Sequence, residues 1–336
     1  MSVDIIVGGQ AGSEGKGKVI SYLAGDYDII VRSGGANAGH TIYHNGERHV
    51  FHMLPCGIFS PCKLMLGVNT YIDHSVLVNE ITKYGINTER LFIDYYATII
   101  DDRHKNYEKE MREDKMSTGS GVGMASSERI IRKKGLKFAK DVPELIPYCA
   151  NVWELLNDSY DNNGKILVEG TQGMDLSLLH GSYPYVTSRD MSPGTLLGEV
   201  GLSPKTSRNT IMVLRTFPIR SCNGPLQNEI SWNDVSKMRN MTVEEVSTVT
   251  KRVRRVGMFD FKQVGKAIKI CRPNQLAITF VDYINSDDCG VKTLDNLSVE
   301  SRTFIDRIES EYGVPVTLIG TGPSTDEVID LRGCTK

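Results

Sequence analysis

The chain has 336 residues, of which 40% are hydrophobic and 24% charged, with a formal net charge of −2 at pH 7; such a composition supports a sizeable buried core and excludes a disordered chain. Near-balanced charge argues against a broad nucleic-acid or membrane-binding face, so any anion site must be local. No apolar run approaches the roughly 20 residues of a membrane span, and the 7 cysteines, odd in number and without a CxxC pair, read as free thiols of a reducing, cytoplasmic protein that opens on a strand rather than a leader.

In chain order, the run Asp4-Ile5-Ile6-Val7 predicts a first strand ending at Gly8-Gly9. The segment Gly8 to Lys18, GGQAGSEGKGK, leads from it into a helical stretch, placing glycine amides and two ammonium groups at a helix N-terminus. That is the makeup of a phosphate cradle. It departs from the Walker pattern, because Val19 stands where a metal-binding Ser or Thr would follow Lys18, and on spacing alone a bland glycine-rich turn fits as well. Uninterrupted apolar runs at Tyr27 to Val31, Lys165 to Val168, Ile211 to Leu214 and Ala277 to Val281 predict further strands, buried on both faces as in a parallel sheet. Phe304, Ile308 and Tyr312 share one helical stripe, and Gly313 stands where a left-handed cap would end it.

This alternation predicts an α/β fold, a largely parallel central sheet flanked by helices. With no internal repeat, low-complexity tract or Pro/Gly-rich linker, residues 1–336 read as a single elaborated domain. Glycine-rich turns at Gly34-Gly35, Gly170 to Gly173 and Gly320-Thr321-Gly322-Pro323 follow strands, and ligands of open α/β sheets bind at those carboxyl ends. The basic run Lys251 to Arg255 reads from charge alone as a solvated face, ahead of a nucleic-acid patch.

Taken together, GGQAGSEGKGK, Asn37-Ala38-Gly39-His40-Thr41, Ser117-Thr118-Gly119, Glu169-Gly170-Thr171-Gln172-Gly173, the segment His180 to Ser188, the segment Thr248 to Arg255 and Gly320 to Pro323 follow one another in an order that resembles the adenylosuccinate synthetase family over nearly the whole chain. The resemblance implies that family's fold, similar to P-loop NTPases, and a carbon–nitrogen ligase that phosphorylates a purine 6-oxygen and then joins C6 to the aspartate amine. It implies Lys16 and His40 as catalytic groups, with Ser13 at the position of the general base; imidazole suits a general acid because it titrates near neutral pH. A triphosphate would be held by Gly12, Glu14, Gly15, Lys16, Gly17, Lys18, Gly39, His40, Thr41, Asp282, Gly320 and Gly322. Mg2+, which prefers oxygen ligands, would lie at Ser13 and Gly39.

The purine monophosphate would meet Ser13, Asn37, Thr118, Gln172 and Thr187, with Arg132 donated across a homodimer interface. Thr248, Val249, Thr250, Arg252 and Arg254 match the family's aspartate loop, where guanidinium forks suit a substrate with two carboxylates. The implied partners are thus small molecules, with no nucleic acid and no membrane.

Three positions depart from the family pattern. Ser13 replaces the aspartate that acts as general base, and a serine cannot take the purine N1 proton unaided. Either catalysis is lost or the ring differs near N1; the shorter side chain leaves room for the 2-amino group of guanine. The same serine occurs in a bacteriophage branch, the 2-aminoadenylosuccinate synthetases, which implies dGMP as acceptor and a host-cytoplasmic location for a phage-encoded chain. Phe280 replaces the lysine of Thr-Lys-x-Asp that selects the guanine of GTP, which implies ATP or dATP as donor. Ser120 replaces an arginine. The alternatives are an ordinary synthetase acting on IMP and a non-catalytic nucleotide sensor, the second disfavoured because a sensor needs no amino-acid loop.

Overall fold

The computed structural model describes residues 2–110, 117–221, 223–246 and 253–333. Its first half runs β1 (Ser2–Gly8), α1 (Lys16–Leu23), β2 (Ile29–Gly35), β3 (His40–His44), β4 (Glu47–Phe51), β5 (Lys63–Asp73), α2 (His74–Tyr84), β6 (Leu91–Asp94), β7 (Thr98–Ile100), α3 (Asp102–Glu110) and α4 (Val122–Ile130). The second half continues with β8 (Cys149–Ala150), α5 (Val152–Asp161), β9 (Lys165–Glu169), α6 (Pro193–Val200), β10 (Ser207–Arg215), β11 (Ile219–Arg220), β12 (Glu229–Ile230) and α7 (Trp232–Arg239). It ends with β13 (Arg255–Gly257), α8 (Phe261–Cys271), β14 (Gln275–Thr279), α9 (Val299–Tyr312), β15 (Val316–Gly320) and β16 (Val328–Asp330).

Eleven strands form one sheet in the order β16-β15-β14-β10-β1-β9-β2-β5-β6-β8, with β7 also on β5. Every pairing in it is parallel except β15 with β16. The apolar runs lack a polar face because both faces are covered. Ile6, Ile30, Leu64, Leu167 and Val213 enter a core shared with Ile20 and Leu23 of α1. Val3, Ile5, Val7, Val31, Val168 and Leu214 enter the opposite core, with Leu196 of α6, Val264 of α8 and Ile305 of α9. Burying one such side chain contributes about 1.5–3 kcal/mol.

The five strands predicted from apolar runs are present as β1, β2, β9, β10 and β14, and α9 ends on Gly313 at φ 64. β5 is the long strand missed by that reading: its run is interrupted by Gly67, Asn69 and Thr70, so it lacks the continuous hydrophobic signature. Among the described residues no helix is long and apolar enough to cross a membrane.

Candidate active site

A cleft of about 1020 Å³ opens where loops leave the carboxyl ends of β1, β2, β9, β10 and β14. Parallel strands all point the same way, so their exit loops converge on that one edge.

The loop after β1 carries Gly12 at φ 86, Ser13 at φ 58 and Gly15 at φ 82. These left-handed residues turn successive amides toward the start of α1, which has no side-chain cap at Gly15; uncapped first-turn amides are the orphan donors that bind anions. Glu14 is the internal brace of this loop. Its fully buried carboxylate accepts from the Gln10 amide at 3.1 Å, the Gly12 amide at 2.9 Å and Lys16 Nζ at 2.5 Å. Thr279 Oγ1 donates to the Glu14 carbonyl at 2.7 Å, fastening the loop to β14.

Gly12, Ser13, Gly15, Lys16, Gly17 and Lys18 line the cleft, whereas Glu14 does not. The Glu14 side chain faces inward and shapes the cradle, which leaves only its backbone for the expected contact with a triphosphate. Lys18 Nζ donates to the Gly322 carbonyl and, at 2.7 Å, to the Glu327 carbonyl, and burial brings it down to about 8. It ties the loop to the turn after β15. Gly322 reaches the cleft; Gly320 lies behind it, against Lys18 Nζ and Thr279.

His40 opens the β3 strand at the cleft wall, 7% exposed, with Gly39 and Thr41 beside it. Its Nδ1 meets Glu169 Oε1 at 2.7 Å; Arg32 Nη1 donates to the same oxygen at 3.3 Å and the Cys56 amide to Oε2 at 2.7 Å. Burial drives His40 down to about 4, against the raising effect of Glu169. Burial alone would raise Glu169, but the His40 hydrogen bond and the Arg32 charge outweigh it and hold the carboxyl below its usual range. Both directions describe one state: ionised Glu169 accepting Nδ1–H from a neutral imidazole, with Nε2 left for a ligand. Glu169 and Arg32 have no role in the sequence reading, although an arginine inside the run Ile29-Ile30-Val31-Arg32 was a visible signal of a buried partner.

Asn37, Thr118, Gln172 and Thr187 all line the cleft. Gln172 Nε2 donates to Asn37 Oδ1 at 3.2 Å, and Thr118 Oγ1 lies 2.9 Å from Ser120 Oγ. The hydroxyls of Thr187 and Ser188 are buried without a hydrogen-bond partner among the described residues, a state that a polar ligand would relieve. Arg254 also reaches the cleft. Thr248, Val249, Thr250 and Arg252 lie outside the described residues.

The family model for adenylosuccinate synthetase matches residues 5–142 and 137–289. The chain belongs to the adenylosuccinate synthetase family. The enzyme of that name from Methanocaldococcus jannaschii is 39% identical over 99% of this chain and 97% of its own length, and that from Pyrococcus sp. is 38% identical over 98% of each. Two solved structures share the fold: fully ligated adenylosuccinate synthetase from Plasmodium falciparum, with TM-score 0.85 at 23% identity over 98% of this chain and 100% of its own, and the succinoaminodeoxyadenylate synthetase of cyanophage S-2L, with TM-score 0.84 at 28% identity over 98% and 95%. Like its family, the protein is a carbon–nitrogen ligase that uses aspartate and is driven by a nucleoside triphosphate.

Besides Glu14 and Gly320, two further expected adenylosuccinate synthetase positions sit away from the cleft lining. Arg132 is exposed at φ 56, beyond the end of α4. Asp282 is 3% exposed behind Phe280, and its carboxylate accepts from Arg239 Nη2 at 2.8 Å. Burial raises Asp282 to about 6 despite that partner.

Ser13 and Gly39, the residues expected at Mg2+, both line the cleft beside the phosphate loop, and a hydroxyl and a carbonyl are the hard oxygens that ion prefers. The one metal-competent cluster among the described residues, His40, Cys56 and Glu169, does not fit it: it is buried, already hydrogen-bonded within itself and includes sulfur.

Proposed function

We propose that the acceptor is dGMP and the donor ATP or dATP, so that the product is N6-succino-2-amino-2'-deoxyadenylate. The observation that carries this reading is Ser13. It is exposed to the cleft inside a loop whose neighbours keep the family pattern, and Glu14 cannot substitute for the missing aspartate because its carboxylate is locked on Gln10, Gly12 and Lys16. A short hydroxyl there leaves space for an exocyclic amino group and can accept its hydrogen bond. The cyanophage relative, 28% identical, is described as bound to dGMP with dATP as energy donor. On the donor side, the Asp282 carboxylate that would select guanine is spent on Arg239, and Phe280 offers a ring face that any base can stack on.

In the first step the 6-oxygen attacks the terminal phosphorus, forming O6–P and breaking the donor's P–O bond, while the purine N1 proton leaves to water, since Ser13 cannot hold it at neutral pH. In the second the aspartate amine bonds to C6, and the C6–O6 bond breaks as phosphate leaves with that oxygen. The amides from Gly12 to Gly17 and the Lys16 charge hold the phosphoryl oxygens, where fixed positive charge stabilises the transition state. His40 lines the cleft with Nδ1 engaged by Glu169, which leaves Nε2 for the reacting oxygens; incoming phosphate charge favours imidazolium, which can give its proton to O6 as that oxygen departs with phosphate. Mg2+ at Ser13 and Gly39 would neutralise phosphate charge, and Arg132 would reach the acceptor phosphate of a second subunit.

A second reading has its own support: curated relatives 37–40% identical to this chain are named adenylosuccinate synthetase, which favours IMP as acceptor. Product mass from dGMP, GMP and IMP, each with aspartate and ATP, separates the two. A kcat/KM for dGMP roughly five- to a hundredfold above that for IMP is expected, the range of one unpaired polar group. IMP outperforming dGMP would return the chain to the ordinary synthetases.

A further inference from the structure

Arg215 ends β10 almost wholly buried, at 1% exposure, and touches three parts of the site without lining the cleft itself. Its Nη1 donates to the Ser13 carbonyl at 3.2 Å, on the phosphate loop. Its guanidinium lies 3.9 Å from the centre of the Phe280 ring, on the loop after β14. Its Nη2 and Nη1 reach Glu245 Oε1 and Oε2 at 2.5 and 3.4 Å. Glu245 in turn accepts from Arg254 Nη1 at 3.2 Å, and the Arg254 amide donates to the Glu245 carbonyl at 2.9 Å. With the antiparallel Val246–Val253 bridge, these contacts join the residues on either side of the segment that matches the family's aspartate loop.

We propose that Arg215 and Glu245 are a positioning pair that holds Arg254 in a carboxylate-binding pose and fixes it relative to the phosphate loop. The proposal rests on the reading of Arg254 as an aspartate-binding residue. One carboxylate between two guanidiniums leaves a net positive charge, so the cluster still attracts a substrate carboxylate. Glu245 uses one Nη of Arg254, and Arg254 Nε is buried without a hydrogen-bond partner among the described residues; the remaining fork is thus fixed before the ligand arrives. An arginine held this way loses less side-chain freedom on binding, which appears as tighter binding of the ligand it grips. Besides Arg215 and Arg254, Glu245 accepts from the Tyr283 side chain in the segment after β14, so its influence should fall on aspartate ahead of the acceptor.

Steady-state kinetics of the full chain test this, with aspartate varied at saturating nucleotides for the wild type, Glu245→Gln, Arg254→Leu and the double variant. Glu245→Gln should raise the aspartate KM about tenfold, the scale of one charge-assisted hydrogen bond, and change the acceptor KM by less than about twofold. In the Arg254→Leu background it should add nothing, since its effect runs through Arg254. Arg215→Lys should raise the same KM, and Glu245→Asp should recover part of the loss. Multiplying effects in the double variant, or an aspartate KM that is unchanged or lowered in Glu245→Gln while Arg254→Leu raises it, would overturn the positioning pair. An aspartate KM unaffected by Arg254→Leu would instead remove the aspartate-loop reading and the pair with it.

Discussion

His40 is held neutral at the wall of a phosphate site, and that single state has two measurable consequences. Its folded value of about 4 lies below the ordinary 6.5, so between those values the unfolded chain takes up a proton that the folded chain refuses. Its contribution to stability is complete above pH 6.5 and is lost as pH falls toward 4. Melting temperature measured from pH 7 to 4.5 should therefore fall more steeply in the wild type than in His40→Asn; parallel curves would show that His40 is not depressed. In turnover, His40→Asn or Lys16→Ala should lose about a hundredfold or more, the scale of a general acid or an oxyanion-type donor, and wild-type rates in either variant would remove that role. His40 was legible in the sequence because the motif around it carries the family resemblance. Its partners were not, since Glu169 lies 129 residues away in the chain and the pairing exists only once β2 and β9 are neighbours.

At the scale of elements, apolar runs show which segments are buried on both faces and say little about interrupted ones, hence the clear β1 and the missed β5. The motif Glu169 to Gly173 reveals a turn, but not why its last glycine is needed. A Cβ on Gly173 would lie 2.3 Å from the Gln10 carbonyl oxygen and 2.3 Å from Glu14 Oε1, so the loop after β9 packs directly onto the brace of the phosphate loop. Gly173 itself has an ordinary extended backbone at φ −155; space, not conformation, demands glycine. Gly173→Ala should cost about 1–3 kcal/mol, as overpacking does, and should raise the donor KM because the brace is what orients the amides. Chemical denaturation and donor kinetics check it. A variant with an unchanged midpoint and unchanged KM would show that the two loops move apart freely.

Across the whole molecule, the two halves of the site are joined through a charge pair within the sheet. Arg32 and Glu169 face each other in register on β2 and β9, on the side of the sheet that also buries Ile30 and Leu167. The Arg32 guanidinium donates to the carbonyls of Ala38 at 2.8 Å, His52 at 3.0 Å and Leu54 at 3.2 Å, while Glu169 takes His40 and the Cys56 amide. Residues 38 to 56, including the β3–β4 hairpin, are thereby pinned to the sheet edge by two side chains that composition and periodicity cannot assign. Strand order is equally invisible to local patterning, because apolar runs identify strands without naming their neighbours. With Glu169 fully buried and Arg32 at 2% exposure, removing the carboxylate strands a guanidinium in the core. Glu169→Ala should therefore lose about 3–5 kcal/mol of global stability, the cost of breaking a buried pair, and should abolish turnover by freeing His40. Glu169→Gln keeps the shape but has a single accepting oxygen, so it can serve His40 or the Cys56 amide and not both; it should lose less stability than Glu169→Ala while leaving Arg32 without its counter-charge. Urea unfolding of both variants decides it: an alanine variant within about 1 kcal/mol of wild type, the usual worth of an exposed pair, would mean that the hairpin is held by its backbone contacts alone.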